Sequence, residues 1–187
     1  MAKQSGNVVT HGLRGKIGDL LVFRQRDGRT IVSKVPVVSN RTSEAQRAQR
    51  RKFQRAVLYG KSVLATPEML EVYAPAAAKK GRIPFNVAVA DFLHAPDIEL
   101  IDLSGYHGMP GDVIRVEAMD DFAVKEVKVV ITNADGSLVE EGFATPGAVG
   151  YEWTYHATAE NPDLAGDRIE VFASDMPGNI TAKTEEL

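Results

Sequence analysis

The stretch Tyr151-Glu152-Trp153-Thr154-Tyr155-His156 decides the fold of the second half of this 187-residue chain. Aromatic residues at 151, 153 and 155 alternate with Glu, Thr and His at 152, 154 and 156. Because successive side chains of a β-strand point to opposite faces, this alternation predicts a strand whose aromatic side chains all face one way.

Similar short apolar runs recur from residue 97 to the end of the sequence. They predict strands over residues 98–103, 112–118, 124–132, 138–143, 151–157, 168–174 and 180–184. Turn signals such as Met109-Pro110-Gly111 and Asn133-Ala134-Asp135-Gly136 separate these runs. Seven short strands are typical of a small antiparallel sandwich, so we predict an all-β immunoglobulin-like sandwich for residues 97–187.

The first half of the chain contains a predicted β-hairpin over residues 16–35. Its arms are rich in Val, Ile, Leu and Phe, and Arg26-Asp27-Gly28-Arg29 lies between them. Asp-Gly is among the strongest hairpin signals because the turn needs positive φ angles. An isolated two-stranded ribbon is only marginally stable in water, so we expect it to pair with another sheet. The residues expected to make that contact are Ile17, Leu21, Phe23 and Ile31.

Three helical segments follow the hairpin. Ser43 and Gln46 have the spacing of a capping box and predict a helix start. Apolar and small residues then form one stripe, at positions 45, 48, 53, 56, 57, 60 and 64. A second helix is predicted to start at Thr66-Pro67, and a third to start at Pro84 and end before Pro96. The first half is therefore predicted to be an α+β module of a β-hairpin plus helices.

Charge is sorted between the two halves, although the net charge is only -3. Residues 1–96 contain 17 Lys and Arg against 6 Asp and Glu, whereas residues 97–187 contain 5 against 19. This step predicts a basic domain over 1–96 and an acidic domain over 97–187. Opposite charges attract either within one molecule or between neighbouring copies, and the second arrangement describes a polymer or ring subunit.

Composition limits the class of protein. A hydrophobic fraction of 44% is too high for a disordered chain, and the absence of cysteine excludes disulfides and thiolate chemistry. No apolar run approaches the ~20 residues that span a bilayer, so we expect no membrane insertion. The N-terminus lacks the apolar stretch of a signal peptide. We expect a virion, or an extracellular appendage exported by another route, rather than a cytoplasmic location.

Two sets of motifs resemble known bacterial proteins. The first set comprises Gly15-Lys16-Ile17-Gly18, the segment from Asn40-Arg41-Thr42-Ser43 to Phe53, and Asn86-Val87-Ala88-Val89. It resembles the opening of an uncharacterised family common in Bacteroidetes, which implies a sandwich-like tail and names no chemistry. The second set, Trp153 on a mid-domain strand and Ser174-Asp175-Met176-Pro177-Gly178-Asn179, resembles the immunoglobulin-like modules of bacterial surface proteins. That resemblance implies a spacer, a stalk or a binding head.

The sequence contains no pattern typical of a catalytic or cofactor site. Gly12, Gly15 and Gly18 with Lys16 lack the Ser or Thr, and the following helix, of a phosphate-binding loop. The four histidines lie far apart, and the neighbouring acids Asp120-Asp121 and Glu140-Glu141 would point to opposite faces of a strand. We therefore predict a protein that is not an enzyme, with no catalytic residues and no cofactor.

Three loop acids are candidates for a calcium site. Asp120, Asp121 and Asp175 could meet at one end of the sandwich, and carboxylate oxygens are ligands that Ca²⁺ prefers. Aspartates in loops are more often exposed to water without a bound ion, so a calcium site is the alternative to that ordinary interpretation.

The predicted first helix carries a cluster of cations, namely Arg47, Arg50, Arg51, Lys52 and Arg55. Three interpretations stay open: a solvated face, a contact with the acidic sandwich of the same or a neighbouring subunit, and a nucleic-acid surface. Nucleic acid is disfavoured because no aromatic residues interleave with the cations and because the acidic half would repel phosphates.

These features lead to the hypothesis of a non-enzymatic structural subunit. It would assemble head-to-tail into a filament, tube or ring through hairpin pairing and complementary charge. One alternative is a monomeric adhesin or carbohydrate-binding module that uses Tyr151, Trp153 and Tyr155 and therefore needs at least one of these rings exposed. The other alternative is a nucleic-acid-associated phage or cytoplasmic protein that uses the arginine-rich helix.

Overall fold

The computed structural model describes residues 2–4, 12–36 and 42–187. The chain forms two compact units, Met1–Arg47 and Ala48–Leu187. The three helices therefore belong mostly to the same compact unit as the sandwich, although charge groups them with the hairpin. The domain boundary predicted at residues 96 and 97 thus differs from the division between the compact units.

The first unit contains a four-stranded antiparallel sheet. Its strands are β1 (Ala2–Gln4), β2 (Gly15–Ile17), β3 (Leu21–Arg26) and β4 (Arg29–Lys34), in the order β1-β4-β3-β2. The predicted hairpin is confirmed, because β3 and β4 pair up to Arg26 and Arg29. Between them Asp27 and Gly28 have φ angles of 52° and 71°, the two positive values that a tight hairpin turn requires.

The predicted first arm of the hairpin is two strands rather than one. β2 ends at Ile17, and the chain turns at residues 18–20 before β3 begins. Among the described residues of this unit, only Phe23 and Thr30 are buried. Leu20 is 76% exposed and Ile17 is 56% exposed. The sheet therefore leaves much of its apolar surface in water.

The helices are α1 (Glu44–Ala65), α2 (Pro67–Lys79) and α3 (Pro84–Leu93). The predicted capping box is confirmed. The backbone amide of Gln46 donates to Ser43 Oγ, and the backbone amide of Ser43 donates to Gln46 Oε1, both at 3.2 Å. Residues 44–55 of α1 are exposed on every side, and of the predicted apolar stripe only Ala56 and Gly60 are buried, while Leu64 is 49% exposed. The buried residues of α1 are Ala56, Gly60 and Val63.

A small core joins the helices to one end of the sandwich. Its buried members are Val63, Tyr73, Ala77, Val87 and Ala88. Phe122 and Met176, which lie in turns of the sandwich, pack against this cluster. The Phe122 ring stacks on Tyr73 with ring centroids 4.3 Å apart. Aromatic stacking of this kind adds about 0.5–1.5 kcal/mol to the stability that area burial provides.

Antiparallel sheets form the rest of the second unit. The strands are β5 (Asp97–Gly105), β6 (Val113–Met119), β7 (Val124–Thr132), β8 (Leu138–Phe143), β9 (Thr145–Pro146), β10 (Glu152–His156), β11 (Arg168–Asp175) and β12 (Ile180–Glu186). They form two four-stranded sheets, β5-β6-β10-β9 and β12-β11-β7-β8. All seven predicted strands are present, and the two-residue β9 is additional.

The core of the sandwich follows the alternation of its strands. Ile114 and Val116 of one sheet and Val129, Ile131 and others of the second sheet belong to one buried cluster. Trp153 and Tyr155 belong to the same cluster, as the period-2 pattern predicts. A fold with helices followed by a sandwich of antiparallel sheets is thereby confirmed.

Candidate metal centre and association surfaces

Three carboxylates meet where α3 packs on the sandwich. Asp91 lies in α3, Asp120 follows β6, and Asp175 ends β11. One side-chain oxygen from each lies within 4.8 Å of the others. Asp91 and Asp175 are buried and Asp120 is half-buried. Like charges this close repel each other unless a proton or a cation lies between them. We refer to Asp91, Asp120 and Asp175 as the carboxylate cluster.

Local turns hold two members of the carboxylate cluster in place. Asp120 Oδ2 accepts hydrogen bonds from the Phe122 and Ala123 amides at 2.9 and 3.1 Å. Asp175 Oδ1 accepts from the Gly178 and Asn179 amides at 2.8 and 2.6 Å. Such side-chain to backbone bonds are typical of aspartates that begin turns. The two carboxylates are therefore positioned before any ligand binds.

Asp91 is the most buried member of the cluster. Its side chain is fully buried, and Oδ2 accepts a hydrogen bond from the Tyr73 hydroxyl. The Tyr73 hydroxyl also lies 2.9 Å from that of Tyr59. Burial raises the pKa of the Asp91 carboxyl to about 7, the Tyr73 hydrogen bond opposes this shift, and Asp120 and Asp175 reinforce it. The site therefore disfavours three bare negative charges.

Two oxygens of the cluster lack a hydrogen-bond donor. They are Oδ1 of Asp91 and Oδ1 of Asp120, and both are buried. Within residues 12–36 and 42–187, no Lys, Arg or His forms an ion pair with any of the three carboxylates. Buried carboxylates normally have a donor or a counter-charge, because an unpaired buried charge is costly. Among the described residues, the cluster therefore lacks a counter-charge.

Asn179 links α3 to the turn that follows β11. Its Nδ2 lies 2.6 Å from Asp175 Oδ2, 3.1 Å from the His94 carbonyl and 3.3 Å from the Phe92 carbonyl. An amide nitrogen has two hydrogens, so it shares them among these acceptors. The carbonyls at the end of α3 otherwise have no partner within the helix.

We expect Asn179→Ala to lower the free energy of unfolding by about 1–3 kcal/mol, because it leaves buried acceptors without a donor. Chemical denaturation followed by tryptophan fluorescence measures this loss. Asn86→Ala is the matched control, since Asn86 is exposed on α3 and its replacement should change stability little. Equal losses in the two variants would contradict the role of Asn179.

A surface groove reaches Asp120, one member of the carboxylate cluster. It is lined by His94, Ala95, Asp97, Glu99, Met119, Asp120 and Asp121. Four of these side chains are carboxylates, and Asp120 belongs to both the groove and the cluster. A cleft lined by one sign of charge concentrates ions of the opposite sign.

The three predicted calcium residues do not all meet. Asp120 and Asp175 lie together, but the exposed Asp121 side chain forms an ion pair with His94. Asp91, and not Asp121, is the third member of the cluster. Asp121 follows Asp120 directly in the turn after β6, but its side chain contacts His94. The only sequence signal for Asp91 is that a single acid interrupts the apolar segment from Val87 to Leu93.

The predicted cationic cluster lies on the exposed part of α1. Arg47, Arg50, Arg51, Lys52 and Arg55 are all exposed. The Lys52 ammonium group donates to the Leu93 carbonyl at 2.7 Å. The Arg47 guanidinium donates to the Thr42 carbonyl at 3.3 Å, and Arg50, Arg51 and Arg55 are exposed to solvent.

The predicted hairpin contacts divide into two groups. Ile17 and Leu21 are exposed and Ile31 is half-buried, so these three side chains offer apolar surface. Phe23 is buried and does not offer its ring to a partner. Leu20, which was not among the expected contacts, lies in the turn between β2 and β3 and is 76% exposed.

An apolar groove crosses the outer face of the sheet β12-β11-β7-β8. It is lined by Glu126, Lys128, Phe143, Phe172, Ser174 and Ile180. Phe143 and Ile180 are 63% and 65% exposed. We call this surface the outer apolar groove.

The structure also decides the interpretation of two other features, the aromatic residues of the 151–155 segment and Lys16. Trp153 and Tyr155 are buried in the sandwich core, so of the three aromatic residues considered for ligand binding only Tyr151 is exposed. Lys16 donates to Asp19 Oδ1 at 2.6 Å, and the strand β2, rather than a helix, contains Lys16. The second observation agrees with the absence of a phosphate-binding loop.

No helix in the described part of the chain is long and apolar enough to cross a membrane. No protein-family model matches the sequence, and no curated protein matches it. Among solved structures, the crystal structure of CopC from Methylosinus trichosporium OB3b is similar in part, with a TM-score of 0.36 and 17% sequence identity. The match covers 49% of this chain and 88% of that one. A similarity at this level says nothing about ligand or activity.

Proposed function

We propose that this protein is a non-enzymatic structural subunit whose N-terminal sheet docks head-to-tail on the sandwich of a second copy. The observation that carries this proposal is the exposure of Ile17, Leu20 and Leu21, in a segment where only Phe23 and Thr30 are buried among residues 12–36. Small sheets without a substantial buried core are marginally stable. Contact with a second copy would remove this apolar surface from water.

Charge supports the same pairing. The first compact unit, residues 1–47, contains 9 Lys and Arg against 3 Asp and Glu. Residues 97–187 contain 5 Lys and Arg against 19 Asp and Glu, a net charge of about -14. Complementary charge speeds the encounter of two surfaces and selects their orientation. Because the donor and receiver surfaces differ, the contact generates a ring or an open filament.

The short edge strands of the N-terminal sheet support a contribution from strand pairing. β1 pairs with residues 30–32 of β4, and β2 pairs with residues 21–23 of β3. In the described residues, positions 24–26 and 33–34 therefore have no strand on their outer side. Unpaired strand edges are templates for pairing with another chain.

The outer apolar groove is the receiving surface that we propose. Phe143 and Ile180 expose large apolar side chains there, beside Glu126 and beside Lys128, whose charge pairs with Glu141. An apolar centre with a charged rim fits the exposed Leu and Ile residues and the arginines of the N-terminal sheet.

We further infer that the sandwich is immunoglobulin-like. If β5 to β12 are assigned in chain order as A, B, C, C′, D, E, F and G, the sheet orders read ABED and GFCC′. Those orders support the assignment because immunoglobulin-type sandwiches arrange their strands in this way.

The proposal predicts that Leu20→Asp and Phe143→Asp each weaken self-association by about ten- to a hundredfold, since each places a charge in the apolar contact. Sedimentation velocity over a range of concentrations measures the association constant. Val72→Asp is the matched control, because Val72 is an exposed apolar residue on α2 that belongs to neither the N-terminal sheet nor the outer apolar groove.

Mixing the two variants tests the head-to-tail geometry. Leu20→Asp leaves the receiver surface intact and Phe143→Asp leaves the donor surface intact, so an equimolar mixture should form dimers that neither variant forms alone. A full-length protein that stays monomeric at high concentration, or variants that associate as the wild type does, would overturn the proposal.

A further inference from the structure

We propose that Asp91, Asp120 and Asp175 bind a Ca²⁺ ion that fastens α3 to the end of the sandwich. The three residues come from three segments that are distant in the sequence, namely α3, the turn after β6 and the end of β11. An ion held by all three would therefore crosslink the helices to both sheets.

The spacing of the oxygens fits a calcium ion. Ca²⁺ binds oxygen ligands at about 2.3–2.6 Å, so two of its ligands lie at most about 5 Å apart. The three carboxylate oxygens lie within 4.8 Å of one another. The donors are all hard oxygens, without histidine or cysteine, which favours Ca²⁺ over zinc or copper.

The unpartnered oxygen of Asp91 is the second observation that points to a ligand. The Asp91 side chain is fully buried, yet its Oδ1 has no hydrogen-bond donor. Oδ1 of Asp120 is buried without a donor as well. A single shared proton can bridge only two of the three carboxyl groups. A Ca²⁺ ion can be coordinated by an oxygen from each of the three residues, and it neutralises two negative charges instead of one.

The acidic groove provides a route for the ion. Asp120 lines this groove together with Asp97, Glu99 and Asp121. Water in the groove can complete the 6–8 oxygen ligands that Ca²⁺ takes. The ion would then have protein ligands on its buried side and water ligands on the side that faces the groove.

Thermal unfolding of the full chain tests the site. After treatment with a chelator, added CaCl₂ at about a hundred times its Kd should raise the Tm by about 5–10 °C. MgCl₂ at the same ionic strength should produce a smaller shift, because Mg²⁺ demands shorter bonds and a stricter geometry. Equal shifts with the two salts would overturn the assignment to calcium.

Asp120→Asn is the decisive variant. It should abolish the calcium shift and also raise the Tm of the metal-free protein, since the new amide can donate to the unpartnered Asp91 Oδ1 and removes one repelling charge. Asp121→Asn is the matched control, because Asp121 is adjacent in sequence and lines the same groove but lies outside the cluster. This control should keep the full calcium shift.

Terbium provides a second readout that does not depend on stability. Tb³⁺ replaces Ca²⁺ at oxygen sites, and its luminescence is excited through nearby aromatic rings; the Tyr73 hydroxyl contacts Asp91 directly. Tb³⁺ emission should rise on binding, fall when CaCl₂ is added, and be lost in Asp120→Asn. The proposal fails if calcium produces no shift in the wild type, or if Asp120→Asn responds to calcium as the wild type does.

Discussion

Gly108→Ala is expected to lower the free energy of unfolding by about 3–5 kcal/mol, through overpacking combined with backbone strain. A Cβ at this position would lie 2.1 Å from the Asn161 carbonyl oxygen, far inside contact distance. Gly108 also has a φ of +82°, which side chains other than glycine rarely adopt. The backbone cannot move away easily, because the Asn161 amide donates to the Gly108 carbonyl at 2.8 Å.

The matched control for this prediction is Gly111→Ala. Gly111 has a comparable φ of +95°, but a Cβ there meets no atom within 4 Å. The control therefore isolates the backbone strain, about 1 kcal/mol, from the steric overlap. Chemical denaturation of both variants gives the difference. If Gly108→Ala lowers the free energy of unfolding no more than Gly111→Ala does, the close approach between Gly108 and the Asn161 carbonyl is wrong.

Glu140→Ala is expected to lower the free energy of unfolding by about 2–4 kcal/mol, because several donors lose one shared acceptor. Glu140 is buried on the edge strand β8, and its Oε2 accepts from the Tyr155 hydroxyl at 2.9 Å and the Thr158 amide and hydroxyl at 2.8 and 2.7 Å. Burial and the bond to Glu140 raise the pKa of Tyr155, so its hydroxyl stays a donor.

The next residue of the same strand is the control. Glu141 is exposed and pairs with Lys128, so Glu141→Ala should cost at most about 0.5 kcal/mol. Glu140→Gln should recover much of the loss, since its amide oxygen can accept the same hydrogen bonds. Equal effects at positions 140 and 141 in denaturant unfolding would contradict the bonding role of Glu140.

Glu140 also bears on where a second copy can bind. An inward-pointing charge on an edge strand discourages pairing with another chain. At the opposite edge of the same sheet, Lys183 of β12 donates to the carbonyls of Ile98 and Glu99 at 3.3 and 2.7 Å. Both edges of this sheet thus carry features that oppose strand addition, which is why we place the receiver on its outer face.

Local patterns were sufficient to predict several elements. Asp27-Gly28 predicted the hairpin turn, and Ser43 with Gln46 predicted the start of α1, because each motif satisfies its own backbone within a few residues. Alternation likewise predicted that Trp153 and Tyr155 would face the same way. The opposite orientations of Glu140 and Glu141 follow from the same period of two.

Other features depend on contacts that the sequence does not encode locally. The apolar stripe of α1 predicted burial along its whole length, but within the described part of the chain only its middle, at Ala56 and Gly60, is buried, so Phe53 and Leu64 remain exposed. Charge grouped the helices with the hairpin, whereas packing of Phe122 and Met176 against the helical core groups them with the sandwich. Burial of apolar area outweighs a difference in formal charge between exposed surfaces.

The sequence by itself determined seven strands of the sandwich, the hairpin turn, the start of α1 and the segregation of charge, because these depend on neighbouring residues. Only the tertiary structure decided the membership of the carboxylate cluster. Asp91 is 29 residues from Asp120 and 84 from Asp175, and an aspartate in an apolar helix has no local partner that would reveal its role. Its function depends on which turns pack against the helix, and packing between distant segments has no periodicity that a sequence pattern can show.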